Sequence, residues 1–164
     1  MAGVRRGNGT MKVQEIMTRD VEACTAATDL ATAAMAMWRN DCGVVPVVEE
    51  PHRRVIGLIT DRDICMACAT KHRPASEIPV GDVITGMVHS CAAADDVKAA
   101  LRTMAEKRVR RLPVIGATGA LVGMLSLNDS VLHTQRAGGR VAGATTPGDV
   151  LEAYQSICEH MQPA

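Results

Sequence analysis

The stretch VIGLITDRD, residues 55–63, returns 66 positions later as LVGMLSLND, residues 121–129. Each copy is an apolar run around a glycine, followed by a hydroxyl residue and, three positions further on, an aspartate. An apolar run of this length and composition predicts a buried strand. The hydroxyl residue and the acid that follows it predict the start of a helix directly after the strand. The repetition of this strand-to-helix stretch indicates that the chain contains two similar halves.

The similarity extends towards the N-terminus of each half. VVPVV at 44–48 corresponds to RLPVI at 111–115, and VQEIMT at 13–18 corresponds to VGDVIT at 80–85, both with an offset of 67. The change of offset places a one-residue difference in the turn between the two strands, where chain-length differences are tolerated. Each half is therefore predicted to contain two strands joined by a hairpin turn.

A helix is predicted before the hairpin in each half. Apolar residues recur at helical spacing over 30–37 and again over 97–104, which is typical of a helix with one buried face. Thr28 is the predicted cap of the first helix, with Asp29 in its first turn. Ala94 precedes the second helix, with Asp95 in its first turn, so the first helix is expected to have the better cap.

Each half thus reads as a strand or extended segment, helix, strand, turn, strand and helix. We predict an α+β fold of two β-α-β-β-α repeats related by a pseudo-two-fold axis, followed by a C-terminal helix. The predicted organisation is a flexible tail at 1–10, the first repeat at 11–72, a linker at 73–79, the second repeat at 80–136, a linker at 137–145 and an amphipathic helix at 146–164.

The C-terminal helix has a clear start and an apolar stripe. Thr146, Pro147 and Asp149 are typical of a cap, a first helical position and an acidic first turn. The predicted stripe is formed by Val150, Tyr154, Ile157 and Met161. Such a stripe must be covered, either by the rest of the same module or by a second copy or a partner protein.

Residues 12–135 resemble the CBS domain family, which occurs as tandem pairs known as Bateman modules. The resemblance rests on the IMT opening at 16–18, the VPV and LPV strands at 45–47 and 112–114, and the doubled Gly-x-x-Thr/Ser-x-x-Asp stretch. Ile84 departs from the family pattern, which usually has methionine there. The resemblance implies clefts between the repeats in which the adenosine part of a nucleotide often binds, and it implies a homodimer.

The hydroxyl and acid pairs are the first candidate site residues. Thr60 with Asp63, and Ser126 with Asp129, each favour a helix cap when the residues are taken alone. A helix start also directs free N–H groups and the positive end of the helix dipole outward, which suits a phosphate. The resemblance implies that Thr60 and Ser126 bind phosphate oxygens and that Asp63 and Asp129 accept hydrogen bonds from the ribose hydroxyls.

A basic run at 107–111 precedes the predicted strand that contains Pro113. Taken alone, such a run often belongs only to a solvated helix end. The resemblance implies that Arg110 and Arg111 reach towards ligand phosphates, a task that suits the planar guanidinium group. The first half has Gly43 and Val44 at the matching positions. The two clefts are therefore expected to differ in affinity or in the charge of the ligand.

An adenine ring needs an apolar slot with a few hydrogen-bonding groups. The candidates for this slot, and equally for the strand core, are Val45, Pro46, Leu112 and Pro113.

Composition argues against several other classes of protein. Eighteen basic and eighteen acidic residues cancel, there is no phenylalanine, and Trp38 and Tyr154 are the only aromatic residues. A nucleic-acid or membrane role is not expected, because both need a basic surface or stacking aromatics. With no secretory signal and no membrane-spanning apolar stretch, we expect a soluble, cytoplasmic protein.

The cysteines and histidines give no catalytic or metal motif. The six cysteines are expected to be reduced and buried. The C-x-x-C at 65–68 lacks a matching second pair, so no metal is predicted. No nucleophile, zinc-protease, P-loop or paired-carboxylate motif is present, so no enzyme activity is predicted.

The leading hypothesis is a regulatory module that binds an adenine nucleotide, with AMP, ADP or ATP as the expected ligand. It would signal to a regulated protein partner through a change in conformation or in the homodimer. The alternative is a ligand-free structural or interaction module that uses its C-terminal helix.

Overall fold

The computed structural model describes residues 10–84, 86–136 and 145–159. The helices are α1 (Val13–Ile16), α2 (Leu30–Arg39), α3 (Asp61–Lys71), α4 (Val97–Lys107), α5 (Leu127–Arg136) and α6 (Pro147–Cys158). The strands are β1 (Val44–Glu49), β2 (Arg54–Thr60), β3 (Cys91–Ala92), β4 (Arg111–Ile115) and β5 (Leu121–Ser126). The predicted α+β class and the C-terminal helix are confirmed. Most of the predicted tail, most of the linker at 137–145 and Met161 lie outside the described residues.

The chain divides into two compact units. The N-unit comprises residues 20–88 and 115–122, and the C-unit comprises residues 1–19, 89–114 and 123–164. Each unit therefore combines the central helix and strands of one repeat with the segment that opens the other repeat. None of the helices in the described ranges has the length and hydropathy that a membrane span requires.

The N-unit is built on the antiparallel hairpin of β1 and β2. Pro46 lies opposite Leu58 in the register of this hairpin. The segment after α3 closes the unit, because the amide of Leu30 donates to the carbonyl of Ile78 at 3.0 Å and the amide of Val80 donates to the carbonyl of Thr28 at 2.8 Å. Ile78 is fully buried in the core. The predicted linker at 73–79 thus ends in a core residue of this unit.

The C-unit contains the three-stranded sheet in the order β3-β4-β5. The N-terminal segment joins it through α1, whose Val13 amide donates to the carbonyl of Asp95 at 2.9 Å. Thr18 and Met124 then exchange two backbone hydrogen bonds of 2.9 and 2.8 Å. The Val13 side chain is fully buried in the core of this unit.

The opening segment crosses the second hairpin strand where that strand has a glycine. A Cβ atom at residue 123 would lie only 2.7 Å from the carbonyl oxygen of Thr18, and one at residue 57 would lie 2.7 Å from the Cδ1 atom of Ile84. Real Cβ atoms do not approach so closely. Glycine is therefore required at Gly123, where the crossing backbone is met, whereas at Gly57 the nearest atom is the end of the Ile84 side chain.

The predicted helix caps were out of place, by one residue in the first helix and by two in the second. Asp29, not Thr28, caps α2, and its carboxylate accepts from the amide of Thr32 at 2.9 Å. That hydrogen bond holds the pKa of Asp29 below its ordinary value. The matching Asp96 precedes α4 but makes no cap bond, because its carboxylate binds the ammonium group of Lys12 at 2.6 Å. The first helix does have the better cap, through a different residue from the one predicted.

The first strand of each repeat is shorter than predicted. In the N-unit, Cys24 makes a single parallel bridge with Val47, whereas β3 in the C-unit has two residues. The segments that open the repeats form α1 and the 3-10 turn Val80–Asp82 rather than strands. The hairpin strands that follow each helix account for most of the sheet structure.

Helix α6 packs on α4 and α5 of its own unit. Val150 and Ala153 are buried in the C-unit core, and Ile157 packs against it. Tyr154 of the predicted stripe remains half exposed, whereas Ala153 is buried. The stripe is thus only partly covered by its own unit.

We expect Gly123→Ala to lower the free energy of unfolding by about 1–3 kcal/mol, the usual cost of forcing an extra methyl group into a packed site. The cost arises because the new methyl group meets the backbone oxygen of Thr18, which cannot move without losing its bond to Met124. Urea unfolding followed by circular dichroism measures the change.

Gly116→Ala is the matched control. A Cβ atom there would make an ordinary 3.4 Å contact with Val122, and the backbone of Gly116 is not left-handed. Its stability should stay the same or rise by up to about 1 kcal/mol. Equal losses in both variants would contradict the crossing argument.

Candidate functional site

The first hydroxyl and acid pair forms a complete capping box at the start of α3. The amide and the hydroxyl of Thr60 donate to Oδ2 of Asp63 at 3.0 and 2.6 Å. The amide of Asp63 donates back to the hydroxyl oxygen of Thr60 at 3.1 Å. The aspartate thus takes the role that glutamate or glutamine has in the usual capping box.

The second pair repeats this geometry at the start of α5. The amide and the hydroxyl of Ser126 donate to Oδ2 of Asp129 at 2.8 and 2.7 Å, and the amide of Asp129 donates to the hydroxyl oxygen of Ser126 at 3.2 Å. All four residues are partly exposed. Among the residues that the structure describes, neither Asp63 nor Asp129 uses Oδ1 in a hydrogen bond, so each retains one carboxylate oxygen as an acceptor.

A third box of the same kind starts α6, outside the repeats. The amide and the hydroxyl of Thr146 donate to Oδ2 of Asp149 at 2.6 and 2.8 Å. Lys98 binds the same oxygen at 3.2 Å. The box alone is therefore a device for starting a helix, as the sequence also allowed. The two repeat boxes differ from it by their matching positions at the end of a hairpin strand.

A backbone hydrogen bond fixes the residue before the first hairpin strand beside each repeat box. The amide of Leu127 donates to the carbonyl of Arg110 at 3.0 Å, and the amide of Asp61 donates to the carbonyl of Gly43 at 3.2 Å. In the C-unit this bond places Arg110, and with it the neighbouring Arg111, at the start of α5. Sequence analysis brought the same residues together only through the family resemblance.

The two boxes have opposite local charge. Positions 43, 44 and 60–63 hold two carboxylates and one guanidinium, whereas positions 110, 111 and 126–129 hold one carboxylate and two guanidiniums. In the N-unit, a Cβ atom at residue 43 would lie 2.9 Å from Oδ2 of Asp61. The carboxylate of Asp61 thus lies close to the backbone of Gly43, at the position that matches Arg110. Asp61 was not among the predicted site residues, although the repeat already aligned it with Leu127 at the offset of 66.

The profile of the CBS domain matches residues 13–70 and 80–129. The chain belongs to the CBS domain family. It is 31% identical over 124 residues to an uncharacterized protein, YlbB, of Bacillus subtilis (strain 168), and the alignment covers 76% of this chain and 82% of YlbB.

Three solved structures are similar to this fold. Hypoxic Response Protein I, with two coordinated zinc ions, has a TM-score of 0.68 and 27% identity over 75% of this chain and 98% of its own. The CBS domain pair of protein MJ0100, in complex with 5-methylthioadenosine and S-adenosyl-L-methionine, has a TM-score of 0.69 and 20% identity over 78% and 99%. CBSX2 in complex with AMP has a TM-score of 0.66 and 21% identity over 78% and 98%. At 20% and 21% identity, the similarity to the last two structures shows the fold alone.

The candidate adenine-slot residues of the two CBS repeats are buried. Val45 and Leu112 belong to the hydrophobic cores of the N-unit and the C-unit. Pro46 and Pro113 are buried beside them in β1 and β4. The core role that the sequence allowed for these four residues is therefore present, and the lining of an adenine slot stays a prediction.

Only two of the six cysteines are buried, so the expectation for the other four was wrong. Cys24 and Cys91 are buried, Cys65 is exposed, and the remaining three are partly exposed. Within the described parts of the chain, no group of three or more histidine, cysteine or acidic side chains is arranged to hold a metal ion. Burial raises the pKa of Cys24 to about 11, and burial together with the nearby Asp95 carboxylate raises the pKa of Cys91 to about 12.

Iodoacetamide at pH 8 should modify Cys65 in the folded protein and leave Cys24 and Cys91 unmodified. The two buried thiols stay protonated at this pH, and the thiolate is the reactive form. Peptide mapping by mass spectrometry measures the extent at each position. Unfolding in urea provides the control, because all three should then react. Native labelling of Cys91 as fast as Cys65 would contradict the buried position.

Proposed function

We propose that the chain is a regulatory module that binds an adenine nucleotide, AMP, ADP or ATP, at the helix starts of its CBS repeats. The carboxylate of Asp129 accepts hydrogen bonds from the ribose hydroxyls, and Ser126 with Arg110 and Arg111 binds the phosphates. Thr60 and Asp63 have the corresponding roles in the first repeat. Pro46, Pro113 and their strand neighbours Val45 and Leu112 flank the adenine ring.

The observation that carries this proposal is the hydrogen bond that fixes the backbone of Arg110, next to Arg111, beside the second capping box. The start of α5 supplies the positive end of a helix dipole, and the proposed site adds the guanidinium groups of Arg110 and Arg111 to it. The Oδ1 atom of Asp129 is available as an ionised acceptor, and a hydrogen bond to such a group contributes about 1.5–3 kcal/mol. The α6 box, which lacks neighbouring arginines of this kind, gives no such combination.

The similar structures agree with an adenosine-type ligand. AMP in CBSX2 carries a phosphate, whereas 5-methylthioadenosine and S-adenosyl-L-methionine in the MJ0100 pair do not. The charge difference between the two boxes favours the phosphate in the second repeat of this chain. Because the carboxylate of Asp61 lies beside Gly43, the first repeat should bind a phosphate more weakly than the second.

Regulation requires a ligand that distinguishes two states of the protein. The ligand would bind one state more tightly, and a protein partner or the homodimer would read the change. We place this activity in the cytoplasm, as the sequence predicts.

The second candidate is an interaction module without a ligand. It is favoured by Leu151 and Tyr154 of α6, two large side chains that stay half exposed while the opposite face of the helix is buried. In this case the capping boxes serve only to start helices. Removal of α6 would then abolish partner binding and leave nucleotide titrations without effect.

Calorimetric titration with AMP, ADP, ATP and S-adenosylmethionine tests nucleotide binding directly. Asp129→Asn should weaken AMP binding roughly tenfold, because a neutral acceptor replaces an ionised one and the difference is about 1.4 kcal/mol. The asparagine oxygen can still accept from Ser126, so the cap of α5 is retained.

Asp149→Asn is the matched control, since it makes the same change in a capping box outside the repeats. It should leave the affinity for AMP unchanged. If none of the four compounds binds, or if the two variants weaken AMP binding equally, the proposed nucleotide site is wrong.

We also propose that the chain forms a homodimer through the outer face of α2 and α3. Three large apolar side chains are exposed there, with Met35 at 51%, Trp38 at 83% and Met66 at 52%. Exposed apolar patches of this kind mark contact surfaces. Removing them from water would stabilise the dimer by about 25 cal/mol per Å² of apolar area.

Trp38→Arg should shift the protein to a monomer in light scattering after size exclusion, because a charge in the contact is costly to bury. Met87→Arg is the control, because Met87 is 78% exposed and lies outside the helices. It should leave the mass unchanged. A monomeric parent protein at high concentration would contradict the dimer.

A further inference from the structure

A groove runs between α5 and α6 in the C-unit. Its cavity volume is about 420 Å³, within the range of roughly 300–1,000 Å³ that is typical of small-molecule sites. Its apolar wall is formed mainly by Leu127, Val131, Val150, Leu151 and Tyr154. The groove is distinct from the fully buried core because Leu151, Tyr154 and Val131 are between 41% and 57% exposed.

The groove depends on a helix that lies outside the matched CBS repeats. The CBS profile ends at residue 129, and α6 begins at Pro147. Val150 and Ala153 pack α6 against the core of the unit. Leu151 and Tyr154, which adjoin them on α6, line the groove next to α5. The C-terminal helix thus adds a binding wall to the repeat.

The charge in the groove is a single guanidinium group. Among the described residues that line it, Arg110 is the only charged one. Its backbone is tied to the start of α5 by the hydrogen bond from the amide of Leu127. Leu127 and Asn128, the first two residues of α5, also line the groove, so the positive end of this helix dipole adds to the effect of Arg110.

We propose that this groove binds an amphipathic carboxylate, with the hydrocarbon part along α5 and α6 and the carboxylate at Arg110. The apolar wall matches a hydrocarbon chain or ring, and one guanidinium group pairs with one carboxylate in a bidentate manner. A monoanion balances the single cation, whereas a nucleotide would bring a polar ribose and further charge against an apolar wall. The groove shares Arg110 with the phosphate site proposed above, whereas Leu151 belongs to the groove alone and so tests it separately.

Calorimetry with decanoate tests the groove, together with two probes that each lack one part of it. Decanol has the chain without the carboxylate, and acetate has the carboxylate without the chain. Decanoate should bind at least tenfold more tightly than either probe.

Leu151→Glu places a negative charge in the groove and should weaken decanoate binding at least tenfold. Leu132→Glu is its matched control, because Leu132 is 54% exposed on α5 and does not line the groove. Arg110→Gln should also weaken decanoate binding tenfold and leave decanol binding unchanged. Lys107→Gln removes one positive charge from an exposed position near the end of α4 and should change neither.

The proposal is overturned if decanoate binds no more tightly than decanol, or if Leu151→Glu and Leu132→Glu weaken it equally. It is also overturned if the wild type binds no decanoate while Leu151→Glu alone lowers the oligomeric mass. The groove would then be a contact between copies of the chain. If the wild type binds decanoate but not AMP, only the nucleotide site is wrong.

Discussion

The hydrogen bond from the amide of Leu127 to the carbonyl of Arg110 determines where the chemistry of the second repeat lies. It joins the residue that precedes one hairpin strand to the first residue of the helix that follows the other. Because the strands between them are paired, the basic run and the capping box meet at one end of the sheet. The equivalent bond from Asp61 to Gly43 gives the first repeat the same geometry. Which side chains stand at these fixed positions then decides what each repeat can bind.

The sequence predicted the elements of each repeat because apolar period, turn composition and cap residues are local signals. The hairpin of β1 and β2 and the helix starts at Thr60 and Ser126 follow from neighbouring residues alone. The sequence did not predict that the opening segment of each repeat packs in the unit of the other repeat. Nothing in residues 13–18 indicates which unit they join. The crossing glycines carried the missing signal, but the approach of the Thr18 backbone to Gly123 and of the Ile84 side chain to Gly57 can be assigned only when the crossing chain is known. The error of one residue at the cap of α2 has a different origin, because Thr28 and Asp29 are both good cap residues and the local sequence does not choose between them.

The three capping boxes separate a structural role from a binding role. All three use one carboxylate oxygen for the cap, and the box at Thr146 shows that this arrangement occurs where no repeat is present. A hydroxyl and an acid three residues apart therefore carry little information on function by themselves. The arginines beside Ser126 and the acid beside Gly43 carry more, because neither is needed to start a helix. The sequence indicated the two arginines only through the family resemblance, because their distance from the capping box depends on strand pairing.

The two repeats share one fold but present different surfaces. In the C-unit, α6 covers part of α4 and α5, and its uncovered side chains make a groove with Arg110. In the N-unit, Trp38 and the neighbouring methionines of α2 and α3 are exposed to solvent. The cores keep the repeat, since Leu30 matches Val97 and Met37 matches Met104 at buried positions. Packing constrains those residues in both halves, whereas the exposed ends and faces are free to differ. The two repeats therefore agree at buried positions and differ at exposed ones.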